Sequence, residues 1–413
     1  MEIVILCFKG GSGMSLNETH SAERIHISFF GRRNSGKSSI VNAFTGQDIS
    51  VVSDVKGTTT DPVYKSMELP PLGPVMIIDT PGIDDEGDLG ELRVKKSYQI
   101  LNKTDIAVLV IDSICGKSKE DEDLINQFRK KNINHILVYN KLDLLGQVPA
   151  ETDNTIHVSA KTRFGIDVLK EKIAGMAIMD EPKRKIVGDF IKPLDFVVLV
   201  TPIDEAAPKG RLILAQQQTI RDILDANGTA IVVKDTELKE TLMNLKKKPR
   251  LVITDSQVFS KVAIDTPEDV YLTSFSILFA RYKGNLENVV KSVYVLDSLR
   301  DGDTVLISEG CTHHRQCDDI GTVKLPRWIR EYTNKQINFK FTSAREFPDD
   351  LAEYKLIVHC GGCMLNEREM KYRQKCARDQ QVPITNYGIL ISYLQGTLKR
   401  SIAIFDHIHG VKY

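Results

Sequence analysis

Residues 31–38 read Gly-Arg-Arg-Asn-Ser-Gly-Lys-Ser and match the pattern G-x-x-x-x-G-K-S. The apolar run Ile25–Phe30 before them is typical of a strand, and residues 38–45 after them are typical of a helix. In a strand–loop–helix unit of this kind, backbone N–H groups of the loop and of the helix N-terminus cradle phosphate oxygens. The stretch therefore predicts a nucleotide-binding α/β domain.

Within this loop, Lys37 is expected to reach the β- and γ-phosphates, and Ser38 is expected to bind Mg²⁺. The residues expected to contact the nucleotide here are Asn34, Ser35, Gly36, Lys37, Ser38 and Ser39.

Asp79-Thr-Pro-Gly82 closes a second apolar strand. Asp79 is expected to hold Mg²⁺ through water, and the Gly82 amide to sense the γ-phosphate. Between the two motifs lies the polar loop Gly57-Thr-Thr-Thr-Asp61. Thr59, or its neighbour Thr58, is the expected magnesium-binding threonine, ordered only when γ-phosphate is present. The segments 48–66 and 84–88 are thus the expected switches.

Two further motifs select the base. Asn140-Lys-Leu-Asp143 follows a strand, and the Asp143 carboxylate can accept hydrogen bonds from guanine N1–H and N2–H groups, which adenine lacks. Ser159-Ala-Lys161 follows another strand and is expected to pack on the base. The base-side set is Asn140, Lys141, Asp143, Ser159, Ala160 and Lys161. The expected ligands are GTP or GDP with Mg²⁺.

The pattern along the chain predicts three α/β domains, because strand-like and helical segments alternate in three series. Residues 1–13 end in Gly-Gly-Ser-Gly before Met14 and are interpreted as an expression tag. The first domain is expected at 14–180, with a doubly wound, mostly parallel sheet. The others are expected at 186–274 and 275–413, after the charged linker 180–185.

Composition excludes several classes of protein. The chain has 413 residues, 55 basic and 55 acidic, so its net charge is zero, which argues against a general nucleic-acid partner. No apolar run approaches the ~20 residues that span a bilayer, so no membrane partner is expected. Seven cysteines in so long a chain do not form a secreted disulfide framework, which favours a reducing, cytoplasmic location.

Three cysteines follow predicted strands near the C-terminus. Cys311 lies after the apolar run 304–307, and Cys360-Gly-Gly-Cys363 lies after the run 355–358. A C-x-x-C pair with a distant third thiol can hold zinc or an iron–sulfur cluster; buried free cysteines are the alternative. The candidates for a fourth ligand are His313, His314, Cys317, His359, Asp318 and Asp319.

The nucleotide motifs resemble those of the TrmE–Era–EngA group of translation-factor-like GTPases over about residues 22–176. Ile83 stands where Ras-like proteins carry the water-orienting Gln, so slow hydrolysis is expected. The resemblance implies that Asn34 helps hold a K⁺ ion beside the phosphates; the alternative is that Asn34 only shapes the loop. The expected catalytic residues are Asn34, Lys37, Thr59 and Gly82.

The whole chain after residue 13 resembles the HydF family, the maturation GTPases of the iron-only hydrogenases. The resemblance is carried by Cys311-Thr-His313, by His359-Cys360-Gly-Gly-Cys363 and by long strings such as Pro383-Ile-Thr-Asn-Tyr-Gly388. It implies a GTPase domain, a dimerisation domain (186–274) and a cluster-binding domain (275–413) in a homodimer.

The same resemblance implies a 4Fe-4S cluster held by Cys311, Cys360 and Cys363, with Asp318 as the expected fourth ligand. It also implies a carrier role for the two-iron subcluster of the hydrogenase. The implied partners are the radical-SAM maturases HydE and HydG and the apo-hydrogenase.

Two alternatives stay open from the sequence. One is a ribosome- or tRNA-directed GTPase with a structural zinc domain. The other treats the thiols as a redox-regulated site with a reversible disulfide and no metal.

Overall fold

A computed structural model of the chain describes residues 24–47, 62–84, 94, 96–145, 154–178, 184–202, 212–310, 319–343 and 346–405. The described residues form an α/β structure with three sheets, of six, four and four strands. In the described part of the chain, no helix combines the length and apolar character needed to cross a membrane.

The first sheet has the order β2-β3-β1-β4-β5-β6, and only β2 runs antiparallel to its neighbour. Its strands are β1 (Ile25–Phe30), β2 (Val63–Leu69), β3 (Gly73–Asp79), β4 (Ile106–Asp112), β5 (Asn134–Asn140) and β6 (Thr155–His157). Its helices are α1 (Lys37–Thr45), α2 (Lys119–Lys130) and α3 (Ile166–Ile178), with helical residues also at 96–100 and short 3₁₀ turns at Leu101–Lys103 and Leu142–Leu144. The predicted mostly parallel GTPase-type sheet is confirmed.

Residues 63–66, predicted within the first switch, belong instead to the edge strand β2, and the rest of that segment up to residue 61 lies outside the described residues. Polar residues such as Lys65 and Glu68 break the apolar pattern of β2, because the strand lies at the edge of the sheet. By contrast, a buried parallel strand such as β4 is almost continuously apolar and is therefore readily predicted from the sequence.

The second sheet is parallel, in the order β10-β9-β7-β8. Its strands are β7 (Phe196–Val200), β8 (Thr229–Val233), β9 (Leu251–Thr254) and β10 (Tyr271–Ser274). Its helices are α4 (Leu214–Asp225), α5 (Leu238–Asn244) and α6 (Phe259–Asp265), with a 3₁₀ turn at Ser256–Val258. Helix α5 ends at Asn244, before the basic run Lys246–Lys248.

The third sheet is also parallel, in the order β12-β11-β13-β14. Its strands are β11 (Thr304–Ser308), β12 (Asn338–Thr342), β13 (Tyr354–His359) and β14 (Ile384–Asn386). The helices of this part of the chain are α7 (Phe275–Lys283), α8 (Leu286–Val293), α9 (Leu325–Thr333), α10 (Glu367–Asp379), α11 (Tyr387–Leu394) and α12 (Leu398–Ser401). Helix α8 ends at Val293 and continues as a 3₁₀ turn, Tyr294–Ser298.

The second and third sheets share one hydrophobic core. It runs from β7, through helices α7, α8 and α11, to β11 and β13, with Leu199, Phe279, Val305 and Leu390 all at most 1% exposed. Each sheet has a smaller core on its other face. The described residues between 184 and 405 therefore pack as a single body, while the first sheet has its own two cores.

Candidate functional site

The phosphate loop lies between β1 and α1, as predicted. Gly36 has φ +88°, and a Cβ there would lie 2.1 Å from the side-chain nitrogen of Asn140, so only glycine fits. The Asn140 amide donates to Ser35 O at 3.1 Å and accepts from Ala160 N at 3.1 Å. One side chain thus joins the phosphate loop to the base-side loop.

The base-side residues come together at the ends of β5 and β6. Ser159 Oγ donates to Asp143 Oδ1 at 2.6 Å, which orients an exposed carboxylate. Lys141 Nζ lies 2.6 Å from Asp112 Oδ2 at the end of β4. Burial raises the pKa of Asp112, but hydrogen bonds from Lys141 and from the Ile114 amide outweigh it, so the net pKa is lowered. Lys161, the last residue of the base-side set, is exposed.

The predicted magnesium ligands Ser38 and Asp79 are also close together. Ser38 Oγ donates to Asp79 Oδ2 at 2.7 Å, and Asp79 is 1% exposed at the end of β3. Lys37 Nζ donates to the carbonyls of Gly31 and Arg32, each at 2.8 Å. Its ammonium group is therefore held inside the loop that would receive phosphate oxygens. Ser39 lies on α1, beside the Lys161 loop.

Asn34 and Arg32, unlike Lys37, are not buried in the phosphate loop. Asn34 has φ +58° and is exposed at the tip of the loop. Asn is among the few residues other than Gly that tolerate this left-handed backbone. Arg32 instead turns towards α2, where its Nε lies 3.3 Å from Asp121 and Nη2 donates to Gly116 O at 2.8 Å.

The segment after β3 touches the phosphate loop directly. Gly82 is buried, and a Cβ there would lie 2.7 Å from Arg33 Cγ. Asp84 Oδ1 accepts from Arg33 N at 2.7 Å. Ile83 is 7% exposed and packs in the core beside Phe30 and Leu101. Asp84 belongs to the predicted switch segment 84–88, but its contact with Arg33 was not predicted from the sequence. Thr58 and Thr59 lie outside the described residues.

The second candidate site lies at the ends of β11 and β13. These strands are adjacent and parallel, with Ser308 opposite His359, so the segments that follow leave the sheet at the same edge. Cys360 and Cys363 are partly buried there. Cys311, His313, His314, Cys317 and Asp318 lie outside the described residues. The described residues alone contain no group of three His, Cys, Asp or Glu side chains arranged as a metal site.

Backbone amides point at the Cys360 sulfur. Gly310 N lies 3.0 Å and Gly362 N lies 3.4 Å from Cys360 Sγ. Gly362 has φ +63°, and a Cβ there would lie 2.6 Å from Met370 Sδ. The two-glycine spacer therefore lets the chain fold tightly around the thiol, and amides directed at sulfur are a known means of tuning thiolate-bound clusters.

His359 is not available as a ligand, contrary to its place among the candidates. It is 1% exposed, and its Nδ1 lies 2.8 Å from Cys360 O. Its Nε2 lies 3.1 Å from Arg373 Nη1, which can only donate. The ring is thus neutral, with the proton on Nδ1, and both nitrogens are used. Burial, reinforced by Arg373, lowers the pKa of His359 to about 3.

Asp319 is likewise used locally. Its Oδ2 accepts from Thr322 N at 2.8 Å and from Thr322 Oγ1 at 3.0 Å, capping the π-helix Ile320–Lys324. Nearby, the Tyr387 hydroxyl donates to Glu309 Oε1 at 3.1 Å. Burial, with the adjacent Cys360 and Glu309, raises the pKa of Tyr387 well above its ordinary value. Neither Glu309 nor Tyr387 was singled out by the sequence.

The two candidate sites are connected by helix α10. Asn366, its N-cap, donates to Lys103 O at 2.8 Å and lies 3.3 Å from His26 Nδ1. Arg368 Nε lies 3.5 Å from Asp105 Oδ1. The helix that follows the C-x-x-C loop is therefore docked on the 3₁₀ turn at the end of the helical segment 96–100. Ser97 in that segment donates to Pro81 O, beside Gly82, at 3.1 Å.

Family models match three regions of the chain. Residues 186–284 match the hydrogen maturase F dimerization domain, and residues 287–404 match the hydrogen maturase F tetramerization domain. Residues 26–141 match a family described as 50S ribosome-binding GTPase. The two maturase models together cover the shared-core body, and the N-terminal domain is a GTPase domain.

Curated relatives match about a third of the chain. The tRNA modification GTPase MnmE of Chromobacterium violaceum is 35% identical over 159 residues, covering 37% of this chain and 35% of that protein. MnmE of Legionella pneumophila strain Corby is 34% identical over 155 residues, covering 37% of this chain and 34% of that protein. The chain thus spans about a third of the length of these relatives.

Solved structures show a fold likeness. Era from Aquifex aeolicus bound to GDP·AlF₄⁻ has a TM-score of 0.34 and 22% identity, covering 51% of this chain and 92% of that chain. The G domain of the FeoB iron transporter from T. maritima has a TM-score of 0.29 and 22% identity, covering 37% of this chain and 99% of that chain.

Proposed function

Because this chain belongs to the hydrogen maturase F family, we propose that it is a GTP-hydrolysing scaffold that assembles or delivers the two-iron subcluster of (FeFe)-hydrogenase. The observation that carries the proposal is that the C-x-x-C loop and its helix α10 are docked on the GTPase domain through Asn366 and Arg368. A nucleotide site and a thiol site in one connected molecule suit a carrier whose loading or release depends on nucleotide state.

The described thiol site fits a 4Fe-4S cluster. Two partly buried thiols lie at one sheet edge, and two backbone amides are directed at Cys360 Sγ. Soft thiolate ligands suit iron–sulfur clusters. Cys360 and Cys363 would hold the cluster with Cys311, and Asp318 is the proposed exchangeable fourth ligand. When bound, the cluster would offer an iron atom at which the two-iron cargo could attach.

The GTPase half of the proposal assigns roles to residues described above. Lys37 would contact the β- and γ-phosphates, Ser38 and Asp79 would hold Mg²⁺, and Asp143 would select guanine. Thr59 is proposed to complete the Mg²⁺ site in the GTP state. Hydrolysis should be slow, because Ile83 is buried in the core and offers no group to orient water.

A K⁺ ion is proposed beside Asn34. The support is the exposed position of Asn34 at the tip of the phosphate loop. GTP hydrolysis would be measured in KCl and in NaCl for the wild type and for Asn34→Ala. Faster hydrolysis in KCl for the wild type alone is expected, and equal rates in both salts would remove K⁺ from the proposal.

GTP would act by changing which conformation or partner complex is populated. Such gating requires that GTP and GDP states differ in affinity for a partner. The contact series from Pro81 through Ser97 and Lys103 to Asn366 gives a physical connection between the sites. The proposed partners are HydE, HydG and the apo-hydrogenase, with the chain acting as a homodimer in the cytoplasm. Equal affinity of the apo-hydrogenase for the GDP form and for the form with a non-hydrolysable GTP analogue would refute gating.

The test of the proposal separates its two sites. Lys37→Ala should abolish GTP turnover and leave iron and sulfide content unchanged, whereas the exposed Lys130→Ala should change neither. Cys360→Ala should lose iron and keep the GTPase rate, and Cys115→Ala, at an exposed free thiol, is its control. All proteins would be reconstituted without oxygen and analysed for iron, sulfide and zinc.

About four iron and four sulfide per chain in the wild type are expected for a cubane cluster. One zinc per chain without sulfide would instead favour a GTPase with a structural metal domain. The ribosome- or tRNA-directed alternative has less support, because the family model described as 50S ribosome-binding GTPase matches residues 26–141 and the tRNA modification GTPase MnmE of Chromobacterium violaceum matches 37% of this chain.

A further inference from the structure

Lys283, the last residue of α7, is buried against the C-x-x-C loop. It is 3% exposed, and its Nζ donates to Gly362 O at 2.9 Å, Cys363 O at 3.0 Å and Leu365 O at 2.7 Å. A lysine ammonium group has three donors and no acceptor. Three loop carbonyls are therefore matched to its three N–H groups.

Burying this ammonium group carries a desolvation cost, since Lys is almost never fully buried unless its charge is compensated. Part of the compensation is local. The C-terminal end of a helix favours a cation, and Lys283 ends α7. The Phe279 ring, one turn earlier, has its centroid 5.4 Å from Nζ. Further compensation comes from three carbonyls that belong to the thiol loop itself.

The loop in turn depends on Lys283 for its shape. Residues 362–365 direct three carbonyls to one point, which would repel one another without a cation between them. The same residues carry Cys363, and the Gly362 amide is directed at Cys360 Sγ. The position of both thiols is thus linked to the ammonium group. A loop that only needed to be packed would be closed with less cost by an apolar side chain.

We propose that Lys283 is a positioning residue of the thiol site, which fixes the Cys360–Cys363 loop and supplies a positive charge that stabilises an anionic, thiolate-bound cluster. This inference rests on the proposed function, because it requires that the loop hold a 4Fe-4S cluster. Reduction adds negative charge, and net charge near a cluster is one of the factors that set its reduction potential. The ammonium group should therefore favour the reduced cluster.

Two variants separate charge from shape. Lys283→Met removes the charge and all three donors, and Lys283→Gln removes the charge but keeps an amide that can donate. Lys291→Met is the control, because Lys291 lies on the next helix, is exposed and pairs only with Glu287 among the contacts described for it. Each protein would be reconstituted without oxygen, then analysed for iron and sulfide, for iron loss to a chelator and for midpoint potential by EPR-monitored titration.

We expect Lys283→Met to lose iron severalfold faster than the wild type and to show a more negative midpoint potential. Lys283→Gln should show the negative shift with slower iron loss, and Lys291→Met should match the wild type. A merely structural role would change iron retention and leave the potential of the remaining clusters unmoved. If Lys283→Met fails to fold, Lys283→Gln decides the question.

If Lys283→Met or Lys283→Gln has the same midpoint potential as the wild type, the inference on charge is wrong. If Lys283→Met retains iron as well as the wild type, the inference on loop shape is wrong. If the wild type itself takes up no iron and sulfide, the proposed function fails instead. The two failures are distinguishable because the second is read before any variant is made.

Discussion

Replacing Arg373 with Met should destabilise the shared-core body strongly. Arg373 is fully buried on α10; its Nε lies 2.9 Å from Glu369 Oε1 and its Nη1 lies 3.1 Å from His359 Nε2. Its guanidinium also lies 5.1 Å from the centre of the Phe347 ring. Methionine keeps most of the side-chain volume. It leaves the carboxylate of Glu369, a residue that is only 9% exposed, without its arginine partner.

The expected loss of stability follows from the buried Glu369 carboxylate that loses its partner. Removing one partner of a buried ion pair costs about 3–5 kcal/mol. For a body of this size, each kcal/mol lowers the melting temperature by roughly 2–4 °C, so a decrease of roughly 6–20 °C is expected. Differential scanning calorimetry, with GTP added to identify the transition of the GTPase domain, would measure it.

A second substitution tests the stated cause. Glu369→Gln removes the stranded charge, so Arg373→Met/Glu369→Gln should be more stable than Arg373→Met alone. Arg378→Met, at an exposed position of the same helix, should change the free energy of unfolding by no more than about 0.5 kcal/mol. A loss below about 1 kcal/mol in Arg373→Met, or no recovery in the double variant, would refute the reasoning on buried charge.

Three other outcomes are expected. Asp84→Asn should bind a fluorescent GTP analogue severalfold more tightly than the wild type. The Asp84 carboxylate accepts a hydrogen bond from the Arg33 amide of the phosphate loop, and its negative charge repels phosphate. Equal or weaker affinity would contradict this. Val232→Asp, on the exposed edge strand β8, should lower the mass of the oligomer in sedimentation, whereas Ile264→Asp, at an 85% exposed residue away from that edge, should not. Burial and the neighbouring Glu353 raise the pKa of Tyr354 to about 12. The unfolded chain therefore loses this proton from about pH 10, whereas the folded protein keeps it until about pH 12. Between about pH 10 and about pH 12, the free energy of unfolding falls by at most about 1.4 kcal/mol per pH unit. Tyr354→Phe should flatten that fall in urea melts, and an unchanged slope would rule out this residue as the cause.

The placement of the nucleotide-binding motifs was largely predictable because each motif is local in sequence. Each motif occupies a short loop after a strand, and parallel strands bring those loops to one edge. Residues such as Asn140 and Ser38 therefore lie where their motifs indicated. The contact of Asp84 with the loop was not predictable, since an acidic residue in a polar run has no periodic signal.

The surroundings of the thiol loop were less accessible to sequence reasoning. The C-x-x-C spacing identified Cys360 and Cys363, but it could not show that His359 is turned towards Arg373. Lys283 lies about 80 residues from the loop it contacts, and a lone lysine at a helix end ordinarily indicates a solvated surface. Long-range contacts of this kind depend on how α7 and α10 pack, which local patterns do not encode.

The single core shared by the second and third sheets has a consequence for any assembly of this chain. Subunits that join through the β8 edge would also set the spacing between their cysteine loops, because both features belong to one packed body. That spacing would be a fixed dimension of the assembled particle, independent of linker length. Two cysteine loops held at constant separation would present a symmetric pair of docking points to a client protein.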